Sequence, residues 1–183
     1  VTLFCYPDAP IAEWLAAVAG GARAYRVLVP ESTADAALQA FFGALPAPGQ
    51  PLRRGRLQVQ RVPFLDHDGY DRLLWSADLN FVRGEDSWIR AHWAARPFVW
   101  QPYVQAEDAH RVKLRAFLDR LAAGEPVDAL MQAWSGAGAL APAWQRFEAE
   151  LPGLEPVYRD FSARLARQTD LATRLVEFCA DRL

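Results

Sequence analysis

Apolar positions along this chain keep two rhythms. The runs "VTLFCY", "AYRVLVP", "RLQVQRVPF", "DLNFV" and "PFVWQPY" are short and apolar and end at turn-forming residues, the pattern of buried strands. Between them the period lengthens. Ile11, Trp14, Leu15 and Val18 recur at i, i+3, i+4 and i+7, and Gly20 with Gly21 closes that helix. "PESTADAALQAFFGAL" offers Ser32 or Thr33 as an N-cap and sets Leu38, Phe41 and Phe42 on one face. "DHDGYDRLLWSA" and "EDSWIRAHWAA" read as two further helices, and "PAPGQPLRRG" reads as a loop. Five strands joined by helical crossovers predict an α/β fold: a parallel, doubly wound sheet with helices on both faces and right-handed connections. In such a sheet ligands bind outside the carboxyl ends of the strands.

From about Glu107 the pattern is helical to the end. Leu114, Phe117, Leu118 and Leu121 form one apolar face, and Val127, Leu130, Met131 and Trp134 form another. "SGAGALAPAW" reads as a loop between helices, and Val157, Phe161, Leu165, Leu171, Leu175 and Phe178 mark a long amphipathic region after it. No internal repeat or second composition regime divides the chain, so residues 1–183 are expected to form one domain with an all-helical C-terminal segment.

Composition narrows the function classes. With 183 residues, 52% hydrophobic and 23% charged, the chain can bury a sizeable core. A net charge of -2 and a pI near 5.9 give no bulk electrostatic reason to expect nucleic acid or an anionic membrane as partner. No apolar run approaches the roughly 18 residues of a spanning helix, and "VTLFCYPDAP" lacks a basic flank, so a cytoplasmic location is expected. Val1 in place of methionine reads as a processed terminus or as a piece cut from a longer chain. Cys5 and Cys179 lie at opposite ends without metal-like or redox spacing and are expected as buried or semi-buried thiols. Histidines at 67, 92 and 110 form no metal motif, so neither metal nor cofactor is expected. His92 and His110 read as surface or capping residues, and Trp75, Trp88, Trp93 and Trp100 as core rather than as a sugar platform.

The chemistry concentrates in "RGEDS", just after "DLNFV" and therefore on the ligand edge of the sheet. Gly84 permits close backbone approach, Asp86 and Ser87 can open a helix whose free N–H groups suit a phosphate, and Arg83 adds a cation. The plainer alternative is that Asp86 and Ser87 only cap the helix while Arg83 pairs with Glu85. Beyond the last strand, Tyr103 and Gln105 add polar groups on the same edge.

Strand, glycine turn, Ser at a helix start, amphipathic helix, Pro97, a second strand and a polar tail together resemble the donor half of GT-B glycosyltransferases. Gly84, Ser87, Ala94, Ala95, Pro97 and Gln105 occupy comparable places, although that pattern's paired glycines and closing Asp-Gln are absent. More specifically, "DLNFVRGEDS", "RAHWAARPFVWQPYVQAEDAH" and "PFLDHDGYDRLLW" resemble the protein-arginine rhamnosyltransferases that modify bacterial elongation factor P. "LFCY" and "KLRAFL" fit as well, and the firmest part runs from Pro63 to Leu118.

The resemblance implies a Rossmann-like C-terminal domain of a GT-B enzyme and an inverting, metal-independent transfer of rhamnose from dTDP-β-L-rhamnose to an arginine of elongation factor P. The family is about twice this length, and its N-terminal domain, which carries the aspartate base, has no counterpart here. Carried onto this chain, the resemblance implies donor binding. Arg83, Glu85, Asp86 and Ser87 would surround the ribose and diphosphate, Tyr6 would line the same cleft, Phe64 would flank the thymine, and Tyr103 and Gln105 could reach sugar hydroxyls. His67 stands where the family often has glutamine. Glu85 is the expected catalytic residue, the one whose loss abolishes activity, since a carboxylate beside a phosphate site is unfavourable without a specific contact. Tyr6 and Phe64 could equally be core aromatics. The isolated chain is expected to bind donor and transfer nothing. Two alternatives stay open: another GT-B donor domain, or a noncatalytic Rossmann-like module that binds a protein.

Overall fold

As far as Gln101, short strands and helices alternate and wind into one sheet. The computed structural model describes residues 1–31 and 33–182, so the N-cap expected at Ser32 lies outside the described residues. In chain order the elements are β1 (Thr2–Leu3), α1 (Ile11–Gly20), β2 (Tyr25–Pro30), α2 (Asp35–Phe42), β3 (Leu52–Arg54), β4 (Leu57–Val62), α3 (His67–Ser76), β5 (Asn80–Arg83), α4 (Asp86–Ala94) and β6 (Phe98–Gln101). A short 3-10 turn (Ala106–Asp108) leads to α5 (Ala109–Leu121), α6 (Glu125–Trp134), α7 (Leu140–Ala166) and α8 (Leu171–Ala180).

The sheet order is β3-β4-β2-β1-β5-β6. Five strands pair in parallel, as expected, and β3 pairs antiparallel with β4 at the edge. β3 corrects the reading of "PAPGQPLRRG" as loop. A two-residue turn at Gly55 and Arg56 joins Arg54 to Leu57, and Gly55 takes φ +57°, the conformation that such hairpin turns require. A side chain could not replace it, because a Cβ there would stand 2.2 Å from the Ala19 carbonyl oxygen of α1. Without the hairpin, the strand order is that of a Rossmann-like fold. Successive strands move outward from β1 as far as β4, then the chain returns to β5 on β1's other side. The switch point between β1 and β5 opens a crevice at the carboxyl edge.

Two aromatic clusters hold helices to the sheet. Trp14 of α1 packs edge-on against Phe81, Trp134 and Trp144, with centroids 4.8, 6.2 and 5.5 Å away. On the other side Trp88 of α4 stacks on Trp100 at 4.3 Å, and His92, Phe98, Phe117 and Phe161 complete the group. The indole nitrogens of Trp14, Trp88 and Trp134 are buried without a partner. Each forgoes about 1–3 kcal/mol, while burying a ring of 150–250 Å² contributes roughly 4–6 kcal/mol, so packing wins.

Several local expectations change. α2 starts behind Ala34, and Thr33 instead donates its hydroxyl to the Pro30 carbonyl at 2.9 Å. α7 begins at Leu140, inside the stretch read as loop, because Leu140, Ala143, Trp144 and Phe147 supply a buried face; it then runs through Pro152 and Pro156. His92 is buried under α5 and α7, and His110 is buried in the first turn of α5, while Trp75, Trp93 and Cys179 are exposed. No helix among the described residues is long and apolar enough to cross a membrane.

Candidate functional site

Two loops meet at the crevice. After β1 the chain stays extended through Phe4 and Tyr6, whose rings both face the same guanidinium. Arg83, at the end of β5, lies 4.3 Å from the Phe4 centroid and 4.8 Å from that of Tyr6, and donates to the Cys5 carbonyl at 3.3 Å. Tyr103, half exposed, meets the Tyr6 ring edge-on at 5.8 Å. No carboxylate lies within ion-pair distance of Arg83 among the described residues, so the expected alternative, an Arg83–Glu85 surface pair, is not formed. A cation held by two aromatic faces keeps its charge and its planar donors for an anion.

Gly84 follows with φ +59°, and its missing side chain leaves room for Tyr6, whose Oη would stand 2.9 Å from a Cβ. Both peptide groups of Gly84 are tied to β6. Its N–H donates to the Gln101 carbonyl at 3.0 Å, and its carbonyl accepts from Trp100 Nε1 at 2.7 Å. The start of α4 carries no side-chain cap, so its first amides keep donor capacity for a bound anion or water.

The four polar residues of this turn have different occupations. Glu85 sits at the N-cap position with an exposed carboxylate, 3.9 Å from Lys113 Nζ. Asp86 pairs with Arg90 at 3.0 Å, one turn along the helix, and Arg90 also forks onto Asp71. Ser87 is buried. Its hydroxyl donates to the Arg83 carbonyl and accepts from the Arg83 amide at 3.0 Å, closing the turn. Burial raises the pKa of the Tyr6 hydroxyl and Arg83 partly opposes this, so Tyr6 is a proton donor at neutral pH.

The structure thus brings Tyr6, Arg83, Glu85, Asp86, Ser87 and Tyr103 together. Phe64 follows β4 on the same sheet edge with its ring almost fully exposed, and His67 opens α3 behind the Asp66 cap. Among the described residues neither makes a ring, hydrogen-bond or ion-pair contact with the Arg83 group. The Gln105 side chain is exposed, and its backbone amide donates weakly to His110 Nδ1 at 3.4 Å. Phe4 and Gln101 escaped the sequence reading. Phe4 was signalled by its i, i+2 relation to Tyr6, whereas nothing local marks Gln101. Among the described residues no group of three or more His, Cys, Asp or Glu side chains could hold a metal ion.

Comparison with known proteins gives a consistent picture. The family described as elongation-factor P (EF-P) rhamnosyltransferase EarP matches residues 1–180. A protein-arginine rhamnosyltransferase of Pseudomonas putida is 41% identical over 185 residues, 97% of this chain and 49% of the relative. One from Pseudomonas aeruginosa is 40% identical over 189 residues, 99% of this chain and 50% of the relative. A solved structure, described as the basis for EarP-mediated arginine glycosylation of translation elongation factor EF-P, superposes with a TM-score of 0.85 at 37% identity. It covers 100% of this chain and 60% of that one. The chain therefore spans about half the length of the curated relatives it matches.

Proposed function

The chain belongs to the elongation-factor P rhamnosyltransferase family, and from that premise we propose that it is the donor-binding half of such a GT-B enzyme. In this reading it holds dTDP-β-L-rhamnose at the β1/β5 crevice while an inverting transfer moves the sugar to an arginine of elongation factor P. The observation that carries the proposal is Arg83, a guanidinium clasped by Phe4 and Tyr6 beside an uncapped helix start, with no carboxylate partner among the described residues.

Each residue then has a physical task. Arg83 and the first amides of α4 take the diphosphate, whose charge grows as the glycosidic bond breaks, so their attraction is greater in the transition state. Tyr6 offers a neutral hydroxyl and an apolar face, and Tyr103 closes the same wall. Glu85, exposed like Asp86 but without that residue's pairing to Arg90, presents a carboxylate to ribose or sugar hydroxyls. Asp86, braced by Arg90, and Ser87, engaged with Arg83, keep the turn in shape and reach the ligand only through free lone pairs. Phe64, His67 and Gln105 stand at the rim, where the exposed Phe64 ring is available to a nucleobase. No cofactor or metal is invoked in this scheme, in which Arg83 and the first amides of α4 take the charge of the departing diphosphate. The base that activates the arginine has no assigned residue in this chain.

Calorimetric titration of the chain with dTDP, UDP and ADP tests the reading. Preference for dTDP, lost in Arg83→Ala, supports it. Preference for another nucleotide points to a different donor, and absence of binding to all three by an enzyme of the relatives' full length that carries this chain overturns it.

A further inference from the structure

The two loops that form the crevice are fastened to each other by one residue that contacts neither phosphate nor sugar in the scheme above. Gln101 ends β6 and is 2% exposed, a polar side chain in a strand otherwise buried for its packing. Its Oε1 accepts from the Tyr6 amide at 2.8 Å, across the end of β5, and its Nε2 donates to Asp8 Oδ1 at 3.1 Å. Its backbone carbonyl accepts from the Gly84 amide at 3.0 Å. A single residue therefore sets the loop after β1 and the turn after β5 relative to each other. Trp100, its neighbour, grips the Gly84 carbonyl from the opposite face of the strand.

We infer that Gln101 is a positioning residue of the donor site: it fixes Tyr6 over Gly84 and Arg83, so that the clamp on the nucleoside diphosphate is already formed before donor arrives. The assignment rests on the donor-binding reading. The physical case is that a buried amide satisfied at both ends is a demanding device, since an unmade bond leaves the Tyr6 N–H or the buried Gln101 Nε2 without its partner. Packing of the strand alone needs no such residue, because an apolar side chain would fill the same place. The polarity is also directional. Oε1 must face Tyr6 and Nε2 must face Asp8, so a glutamate at 101 would keep the first contact and set two carboxylates against each other at the second. Replacing Asp8 by asparagine would restore a donor opposite the new carboxylate.

The test uses an enzyme of the relatives' full length that carries this chain, with dTDP-rhamnose and elongation factor P as substrates. Gln101→Leu and Gln101→Glu are expected to raise the donor KM about tenfold with kcat within threefold of wild type, the loss of pre-organised binding rather than of chemistry. Gln101→Glu combined with Asp8→Asn is expected to return KM to within threefold of wild type. A purely structural role would not give that KM-against-kcat split, nor recovery by the reciprocal pair. Wild-type KM in a folded Gln101→Leu enzyme, or no recovery in a folded double variant, overturns the inference. Tyr6→Ala separates it from the donor-site reading: if Tyr6→Ala raises KM and Gln101→Leu does not, Gln101 alone is misassigned, and if Tyr6→Ala changes nothing, the site itself is.

Discussion

Gly84 concentrates the geometry of the site into one residue, because its φ of +59° strains any side chain and a Cβ there, 2.9 Å from the Tyr6 hydroxyl, would displace that ring. Gly84→Ala is expected to lose about 1–2 kcal/mol of stability from the left-handed backbone, measured by urea unfolding. It should also push the Tyr6 ring off Arg83 and weaken dTDP binding at least tenfold in calorimetry, and undiminished binding would count against the clamp. Glu85 is the opposite case. Its carboxylate is largely exposed and its nearest cation is 3.9 Å away, so Glu85→Ala should change stability by no more than about 0.5 kcal/mol, while the proposed function expects it to remove most rhamnosyl transfer in an enzyme of the relatives' length that carries this chain. Wild-type turnover in that variant would remove Glu85 from the catalytic list. Arg83, Gly84, Glu85, Asp86 and Ser87 were legible as a group because a turn that follows a parallel strand must lie on the ligand edge. Their individual occupations were not. That Ser87 closes the turn and Asp86 braces Arg90 depends on side-chain geometry, and the partners of Gln101 at Tyr6 and Asp8 are more than ninety residues away in sequence.

At the scale of elements, periodicity located α1, α3, α4, α5 and α6 because each has one apolar stripe whose spacing needs no knowledge of its partner. It failed where pairing decides. β3 has only three residues and lies among prolines, and it becomes a strand through its neighbour β4. The surface reading of His92 failed for a related reason: α4 is covered a second time, by α5 and α7, so a polar residue near its end is enclosed by Trp88, Phe98, Phe117 and Phe161. That enclosure makes α4 acid-sensitive. Burial alone lowers the pKa of His92 to about 4, below its unfolded value near 6.5. The unfolded chain therefore binds the proton first as pH falls, so stability is intact above about pH 6.5 and declines down to about pH 4. Between pH 7.5 and 4.5 this single group should remove about 2–3 kcal/mol. His92→Leu should lose that much less over the same interval in urea unfolding, whatever its stability at neutral pH. Equal losses in variant and wild type would mean that the imidazole is protonated in the folded state.

The whole molecule is unevenly consolidated. α7 joins both aromatic clusters, through Trp144 on one side and Phe161 on the other, and so ties the helical segment to the sheet. α8 does not share in this. Every residue of the helix is exposed, and Leu171, Leu175 and Phe178, at i, i+4 and i+7, form an apolar stripe whose described aromatic contact is Arg182 over Phe178 at 3.9 Å. A ten-residue helix is shorter than the roughly 12–15 residues that hold a helix in water unaided, so α8 adds little to the domain and leaves its stripe open to other surfaces. Replacing Leu175 and Phe178 together by glutamate should therefore leave the melting temperature within about 2 °C of wild type, since both side chains are about half exposed and neither belongs to the core. Sedimentation of the chain alone is expected to show concentration-dependent self-association through this stripe, and the same change should abolish it. A fall of several degrees would show that α8 stabilises the domain, and unchanged association would place the sticky surface elsewhere.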